Sequence, residues 1–305
     1  MTVLVTGASG MVGRNLVELF EKNEIPTLKP SSNELNLLSE NEVKKYFMTH
    51  QIDVIVHCAG LVGGIQANIA KPFSFFYNNL LMGANVVMSA AESKIQKLIN
   101  LGSSCMYPRD LDTELKENDI LKGELEPTNE GYALAKISIA KMCEYLSQEK
   151  NIHYKTLIPC NLYGRWDKFD PQRSHMIPSV IHKLYLAKLN GSTPKIWGDG
   201  SARREFMYVE DLTNFILFSI SNYEKIDSYM NVGLGYDYSI KEYYEKIASV
   251  VGYQGGFEYD LSKPSGMQKK LCSVEKLKMI GWQPNYSLEQ GIEKTYNFYL
   301  KHHGV

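Results

Sequence analysis

Tyr132 and Lys136 stand four positions apart in the motif YALAK, a spacing that puts two side chains on one face of an α-helix. A free tyrosine ionises near ~10, and a neighbouring ammonium favours its phenolate. Such a pair can therefore tune a hydroxyl for proton transfer near neutrality. The lysine can also hold the ribose of a bound dinucleotide. Taken alone, YxxxK fits any amphipathic helix with one exposed lysine. Ser103 narrows the choice. It lies in GSSCMYP (residues 102–108), just after the apolar run 98–101 and about thirty residues before Tyr132. A serine at the carboxyl end of a parallel strand faces the crevice where ligands bind. From there its hydroxyl can hydrogen-bond the carbonyl that Tyr132 protonates. Ser103 is the better placed of the two serines, four residues before Tyr107.

The glycine pattern near the start supplies a cofactor for such a site. Gly7, Gly10 and Gly13 follow a short apolar run and precede an amphipathic stretch, in the spacing GxxGxxG. Glycines permit a tight turn, close backbone approach to a pyrophosphate and close helix–strand packing, and the helix N-terminus offers unpaired N–H groups and a positive dipole. Three glycines are a weak signal alone, and the strand–turn–helix setting strengthens them. At the end of the second strand an NAD enzyme needs a carboxylate for the ribose 2′-hydroxyl. Residues 28–33 read LKPSSN, with no acid before Glu34. Arg14 and Lys29 suit a 2′-phosphate, which favours NADP(H). Glu34 is the counter-signal and is expected in the following loop.

The elements that must position these groups alternate β and α, the rhythm of a doubly wound parallel sheet. Strands are expected at 2–6, 53–58, 98–101 and 154–159, and the short apolar run at 53–58 suits burial on both faces. Helices are expected over Met11–Lys22, 75–93 and 130–150. Residues 163–205 look irregular, rich in Pro, Gly, Arg and Trp, as in a substrate-binding insertion. A strand and helix over 205–219 should return to the first domain. The expected organisation is an α/β Rossmann domain (1–164 plus 205–233) and a smaller α/β substrate-binding domain (165–204 plus 234–305).

The 305 residues carry 33 Lys and Arg against 34 Asp and Glu, a net charge of −1. That balance gives no basic footprint for nucleic acid or an anionic membrane. Five scattered cysteines without CxxC fit neither a disulfide framework nor a zinc site, and no metal is expected. The chain opens directly into a strand without a basic n-region, so a cytoplasmic protein is expected. Residues 72–91 are uncharged, yet Asn78, Asn79 and Asn85 would be costly in lipid. A helix buried between the sheet and a second subunit, in a homodimer, is the better reading.

The motifs together resemble the GDP-L-fucose synthase family, extended short-chain dehydrogenases/reductases that epimerise and then reduce a GDP-4-keto-6-deoxy-mannose. The matching stretches are NELNLL (33–38), VGGI (62–65) with Ala67 and Asn68, GSSCMYP (102–108), EPTN (126–129), YALAK (132–136) and NLYG (161–164). SHMIP (174–178), REF (204–206), NVG (231–233) and SKP (262–264) continue them in order over nearly the whole chain. The resemblance implies Ser103, Tyr132 and Lys136 as the reductase triad. It implies Cys105 and His175 as the acid–base pair for epimerisation at C3 and C5. Both carbons flank the C4 ketone, so their protons are acidified, and a thiolate and an imidazole can work near pH 7. In the cofactor site it implies Gly7, Ser9, Gly10, Met11, Val12, Gly13, Arg14, Ser31, Ser32, Ala59, Gly60, Leu101, Lys136, Pro159, Asn161, Leu162 and His175. For the substrate, a GDP-sugar, it implies Asn161, Lys183, Trp197, Arg204 and Ser265, with Arg204 able to hold the diphosphate bidentately.

The chain also departs from that family. Ser9 and Ser32 stand where the family carries arginines. After NLYG the family shows a Pro-x-Asp-Asn-Phe-His pattern, and this chain has RWDKFD (165–170). Ser265 replaces an aspartate. The last two changes are expected to cluster in the sugar pocket, with the GDP part kept and the sugar different, a 6-deoxy-heptose or another 4-keto sugar. A C4 reductase acting after a separate epimerase is one alternative, and a redox-neutral epimerase or dehydratase another. A regulatory protein on the same fold predicts a broken YxxxK or a missing serine, and both are intact here.

Overall fold

The computed structural model describes residues 1–111, 113–170, 174–262 and 267–303. The first half runs Val3–Thr6 (β1), Met11–Lys22 (α1), Thr27–Leu28 (β2), Glu40–Thr49 (α2), Val54–His57 (β3), Ile65–Ala70 (α3), Pro72–Glu92 (α4) and Lys97–Leu101 (β4). Then come Glu130–Lys150 (α5), His153–Pro159 (β5), Asn161–Tyr163 (β6), Met176–Asn190 (α6), Lys195–Trp197 (β7), Arg203–Arg204 (β8), Phe206–Tyr208 (β9) and Val209–Ser221 (α7). The chain closes with Tyr229–Val232 (β10), Tyr238–Ser239 (β11), Ile240–Val251 (α8), Glu258–Asp260 (β12), Lys269–Lys270 (β13), Glu275–Met279 (α9) and Leu288–His303 (α10).

Six strands form one sheet in the order β10-β5-β4-β3-β1-β2, every pair parallel. Parallel strands need helical crossovers, which cover both faces and leave the strands apolar throughout. Successive side chains alternate between those faces. Val3, Val5, Val54, Val56 and Ile99 pack with Leu16 and Phe20 of α1 and Leu212, Phe215 and Ile216 of α7. Leu4, Ile55 and Leu98 point the other way, onto Val43 and Phe47 of α2, Val86 and Val87 of α4 and Ile139 of α5. Each such buried side chain contributes roughly 1.5–3 kcal/mol relative to exposure, so this sheet is the rigid base of the molecule.

A second core joins α6, α8 and α10 to β6 and β9 through Ile177, Ile181, Leu184, Tyr208, Tyr243, Ile247 and Tyr299. Beside it lie the small sheets β11-β8-β13 and β12-β7. Ser239 starts α8 with a capping box, its hydroxyl accepting from the Glu242 N–H while the Glu242 carboxylate accepts from the Ser239 N–H.

Two expectations change. The stretch read as irregular contains the fifteen-residue α6. Its apolar face (Ile177, Val180, Ile181, Leu184) has helical spacing that Pro178 obscures, although a proline in the first turn costs the helix no hydrogen bond. The strand expected after residue 205 exists as β9, but it pairs with β6 rather than with the main sheet. Its helix, α7, does pack on α1, and β10 supplies the sixth strand of the main sheet. Among the described residues no helix is long and apolar enough to cross a membrane. In α4 the amides are satisfied within the chain: Asn79 bonds to Leu61 and Phe75, and Asn85 donates to the Leu37 carbonyl.

Candidate active site

The crossover from β1 to β2 runs to one side of the sheet and β3 lies on the other. The chain therefore reverses direction at the carboxyl ends of β1 and β3, where open α/β sheets leave a ligand crevice. Gly7 sits there with φ +70°, and a Cβ on it would come within 2.6 Å of the Ala59 backbone. Gly13 lies against the same turn, its added Cβ 2.2 Å from the Gly7 carbonyl oxygen. Gly10 is the N-cap of α1 and has no side-chain cap, so the first N–H groups of that helix face the turn. This cradle fits a pyrophosphate. Met11 and Val12 pack inward from the same turn onto the apolar cores.

A cleft lined by Ala8, Ser9, Arg14, Lys29, Ser31 and Glu34, among others, continues from the turn. Ser32 is exposed and does not line it. The two cations there are already engaged. The Arg14 guanidinium lies 4.5 Å over the Trp166 ring, and Lys29 is ion-paired with Glu21. Glu34 accepts a hydrogen bond of 2.8 Å from the Ser31 N–H, which holds its carboxyl below the usual range. Glu34 does fall in the turn after β2, as expected, but at the rim of this cleft.

Arg165 and Trp166 sit elsewhere than expected. Trp166 donates to Glu18 at 2.7 Å, and Arg165 pairs with Glu18 and Glu210 at 2.7 Å and 3.0 Å. The Trp166 ring also packs edge-on against Phe298 of α10. This part of the RWDKFD departure therefore braces α1 beside the cofactor turn rather than the sugar pocket. The cause lies in the chain path: Gly164 (φ +152°) and Trp166 (φ +65°) turn the backbone back toward α1.

β4 carries Ser103 to the crevice, and the first turn of α5 presents Tyr132. The Ser103 hydroxyl accepts from the Cys105 N–H at 3.2 Å and is within hydrogen-bonding reach of Tyr132, which favours the phenolate. Burial outweighs that effect and pushes the Tyr132 hydroxyl up. Lys136 Nζ lies 5.8 Å from the Tyr132 ring and donates to the Leu101 carbonyl at 2.8 Å. Burial brings Lys136 down to about 8. The Lys136 ammonium is thus held at the Leu101 carbonyl, beside the Tyr132 ring.

Two neighbours escaped sequence reasoning. A Cβ on Gly60 would lie 3.1 Å from Asn79 Oδ1 and 3.8 Å from Lys136 Nζ, so Asn79 of α4 belongs to the lysine's surroundings. Its amide in an uncharged helix is the visible signal in the sequence. Cys105 Sγ accepts from Asn129 Nδ2 at 3.3 Å and from Lys270 Nζ at 3.6 Å. No local pattern marks a two-residue strand such as β13.

His175 is the N-cap residue of α6. Burial and the Lys168 charge push its imidazole down, so it is neutral near pH 7. Among the described residues it makes no hydrogen bond to Ser103, Cys105 or Tyr132. Asn161 donates to the Glu205 carbonyl at 2.9 Å, Leu162 packs on the main core, and Pro159 ends β5. Lys183 of α6 lies 5.8 Å from the Trp197 ring of β7, its ammonium pushed down by burial. Arg204 is paired across β8–β13 with Lys270 and faces the Glu126 carboxylate. The structure thus makes two groups, Ser103–Cys105–Tyr132–Lys136 inside and Lys183–Trp197 outside, with Arg204 and Lys270 side by side on β8 and β13. Ser265 lies outside the described residues.

The family profile described as NAD dependent epimerase/dehydratase matches residues 3–234. The chain is 52% identical over 302 residues to the GDP-L-colitose synthase of Yersinia pseudotuberculosis, covering 98% of each. It is 49% identical over 299 residues to the GDP-L-fucose synthase of Azorhizobium caulinodans, covering 98% of this chain and 96% of that one. Among solved structures, the GDP-mannoheptose C4 reductase from Campylobacter jejuni with NADP bound superposes with a TM-score of 0.89. It is 29% identical and covers 98% of both chains.

Proposed function

The chain belongs to the NAD-dependent epimerase/dehydratase family, and on that premise we propose that it reduces the C4 ketone of a GDP-4-keto-6-deoxy sugar with NADPH and exchanges protons at C3 and C5. One observation carries the reading: Ser103, Cys105, Tyr132 and Lys136 meet at the carboxyl end of β4. NADPH, when bound, supplies the hydride for C4. Tyr132 gives its hydroxyl proton to the ketone oxygen as the alcohol forms, and Ser103 hydrogen-bonds that oxygen. Lys136 holds the nicotinamide ribose, and its charge assists Tyr132 once a substrate completes the site. Cys105 and His175 serve as the acid–base pair on the carbons beside the ketone.

The Gly7–Gly13 cradle would hold the pyrophosphate. Ser9, Arg14, Lys29 and Ser31 line the cleft that would take the 2′-phosphate. The NADP-bound reductase supports that cofactor. Trp197, Lys183 and Arg204 would bind the GDP part. The named relatives support GDP and a deoxy-hexose, and the structural neighbour favours a second reading, a GDP-heptose C4 reductase. Although the main-sheet core takes in Cys272, Val274, Leu277 and Trp282 and the second core takes in Phe206, Tyr208 and Val209, the division into a Rossmann domain (1–164 plus 205–233) and a substrate domain is part of the proposal. So is a homodimer through the exposed Phe73, Tyr77 and Met88 of α4 and Leu134 and Tyr145 of α5. Five free thiols suit a reducing cytoplasm.

The test is to offer GDP-4-keto-hexoses and GDP-4-keto-heptoses, follow NADPH loss, and assign each product by NMR. Product formation without NADPH loss would instead identify a redox-neutral enzyme.

A further inference from the structure

Cys105 Sγ is touched by two nitrogen donors, Asn129 Nδ2 at 3.3 Å and Lys270 Nζ at 3.6 Å. They come from separate elements of the chain. Asn129 precedes α5, and Lys270 arrives on β13, which pairs parallel to β8. Among the described residues no carboxylate lies within ion-pair distance of Lys270. Its Arg204 neighbour faces Glu126 instead. Tyr132 also faces the thiol and Cys272 also faces Lys270, and burial keeps both neutral.

We propose that Lys270 is a positioning residue that holds the Cys105 sulfur as a thiolate, ready to take a proton from the carbon next to the C4 ketone. This rests on the site assigned above. An ordinary thiol, with a pKa near ~8.5, is only a few per cent ionised at neutral pH. An opposite charge within reach lowers such a group by roughly 1–3 units, and the Asn129 amide donor favours the same charged form. In the step itself the C–H bond breaks, an S–H bond forms, and the electron pair moves onto the ketone oxygen as an enolate. The negative charge thereby leaves the sulfur for the substrate. Lys270 stays beside Sγ throughout, and Arg204 sits beside it on β8, so charge remains balanced at the site's edge.

The test is the pH dependence of Cys105 alkylation by iodoacetamide, measured on its peptide by mass spectrometry in wild type, Lys270→Met and Lys270→Arg. Wild type should titrate below the ordinary thiol midpoint of about 8.5. Lys270→Met should titrate about one unit higher or more, and Lys270→Arg should return toward wild type. An unshifted midpoint in Lys270→Met overturns the proposal. So does a wild-type midpoint at or above the ordinary value, or a wild-type Cys105 that does not label, whatever the variants do. Solvent deuterium entry at C3 and C5 is read separately. A low midpoint without that exchange sustains the proposal for Lys270 and removes the epimerase half of the function.

Discussion

The guanidinium of Arg14, one residue after the last glycine of the dinucleotide turn, lies 4.5 Å over the indole of Trp166. Trp166 is fixed in turn by its hydrogen bond to Glu18 and its edge contact with Phe298. A flexible arginine is thereby held at the mouth of a cleft that also contains Ser9 and Ser31. Arginine and lysine pay rotamer entropy to bind an anion, and a stacked arginine has already lost most of it.

Trp166→Leu should therefore weaken NADPH binding. An exposed cation–π contact is worth about 0.5–1 kcal/mol, so KM for NADPH should rise roughly two- to five-fold. Trp166→Phe, which keeps a ring under Arg14, should lose less. Steady-state kinetics with NADPH and NADH check this: KM for NADH should move little. An equal rise for both cofactors would place the effect in helix α1 itself.

Glu34 should act in the opposite direction. Its carboxylate, held ionised by the Ser31 N–H, stands at the rim of the same cleft and repels a dianionic 2′-phosphate. Glu34→Gln should tighten NADPH and leave NADH unchanged or weaker, as isothermal titration would record. The gain should shrink as salt is added, because the carboxylate is exposed.

Glu205 links the two halves of the site and sets a pH dependence of stability. Its carboxyl accepts from the N–H groups of Leu234, Gly235 and Cys272, yet burial prevails and raises it from 4.5 to about 7. A group raised in the folded state stabilises fully below its unfolded value and loses that contribution as pH rises through the folded one. For Glu205 the loss runs between about pH 4.5 and 7 and amounts to about 3 kcal/mol at most. The midpoint of thermal unfolding should fall over that window. Glu205→Gln should melt lower, since its amide opposes a backbone donor, but with a flatter pH profile. An equally steep profile in the variant would assign the dependence to Asp167 and Asp211, which are also raised.

Much of this was legible in the chain. The main sheet showed because a parallel strand buried on both faces is a short apolar run; β1, β3 and β4 come close to that, and β5 does so only over Leu157–Pro159. The glycine turn and the YxxxK helix are local patterns with local causes: φ > 0 at Gly7, close approach at Gly13, and one helical turn between Tyr132 and Lys136. Contacts between distant segments were not legible. Arg165 and Trp166 follow a motif by the site, yet two left-handed backbone positions carry them back to α1. Lys270 reaches Cys105 from a two-residue strand too short to show a period. Asn79 was visible as an amide in an apolar helix, but only the fold puts it beside Lys136.

The central claim is hydride delivery to C4 with Tyr132 as the proton donor. The direct measurement supplies NADPH deuterated at the transferred position to wild type and Tyr132→Phe with a GDP-4-keto-6-deoxy sugar in water, and reads the product by NMR. Deuterium at C4 of the wild-type product, one NADPH consumed per product and a loss of about 10²–10⁴-fold in Tyr132→Phe are expected, while solvent exchange at C3 and C5, read in a parallel run in D2O, persists. A product without deuterium at C4, or Tyr132→Phe turning over at the wild-type rate, would contradict that claim.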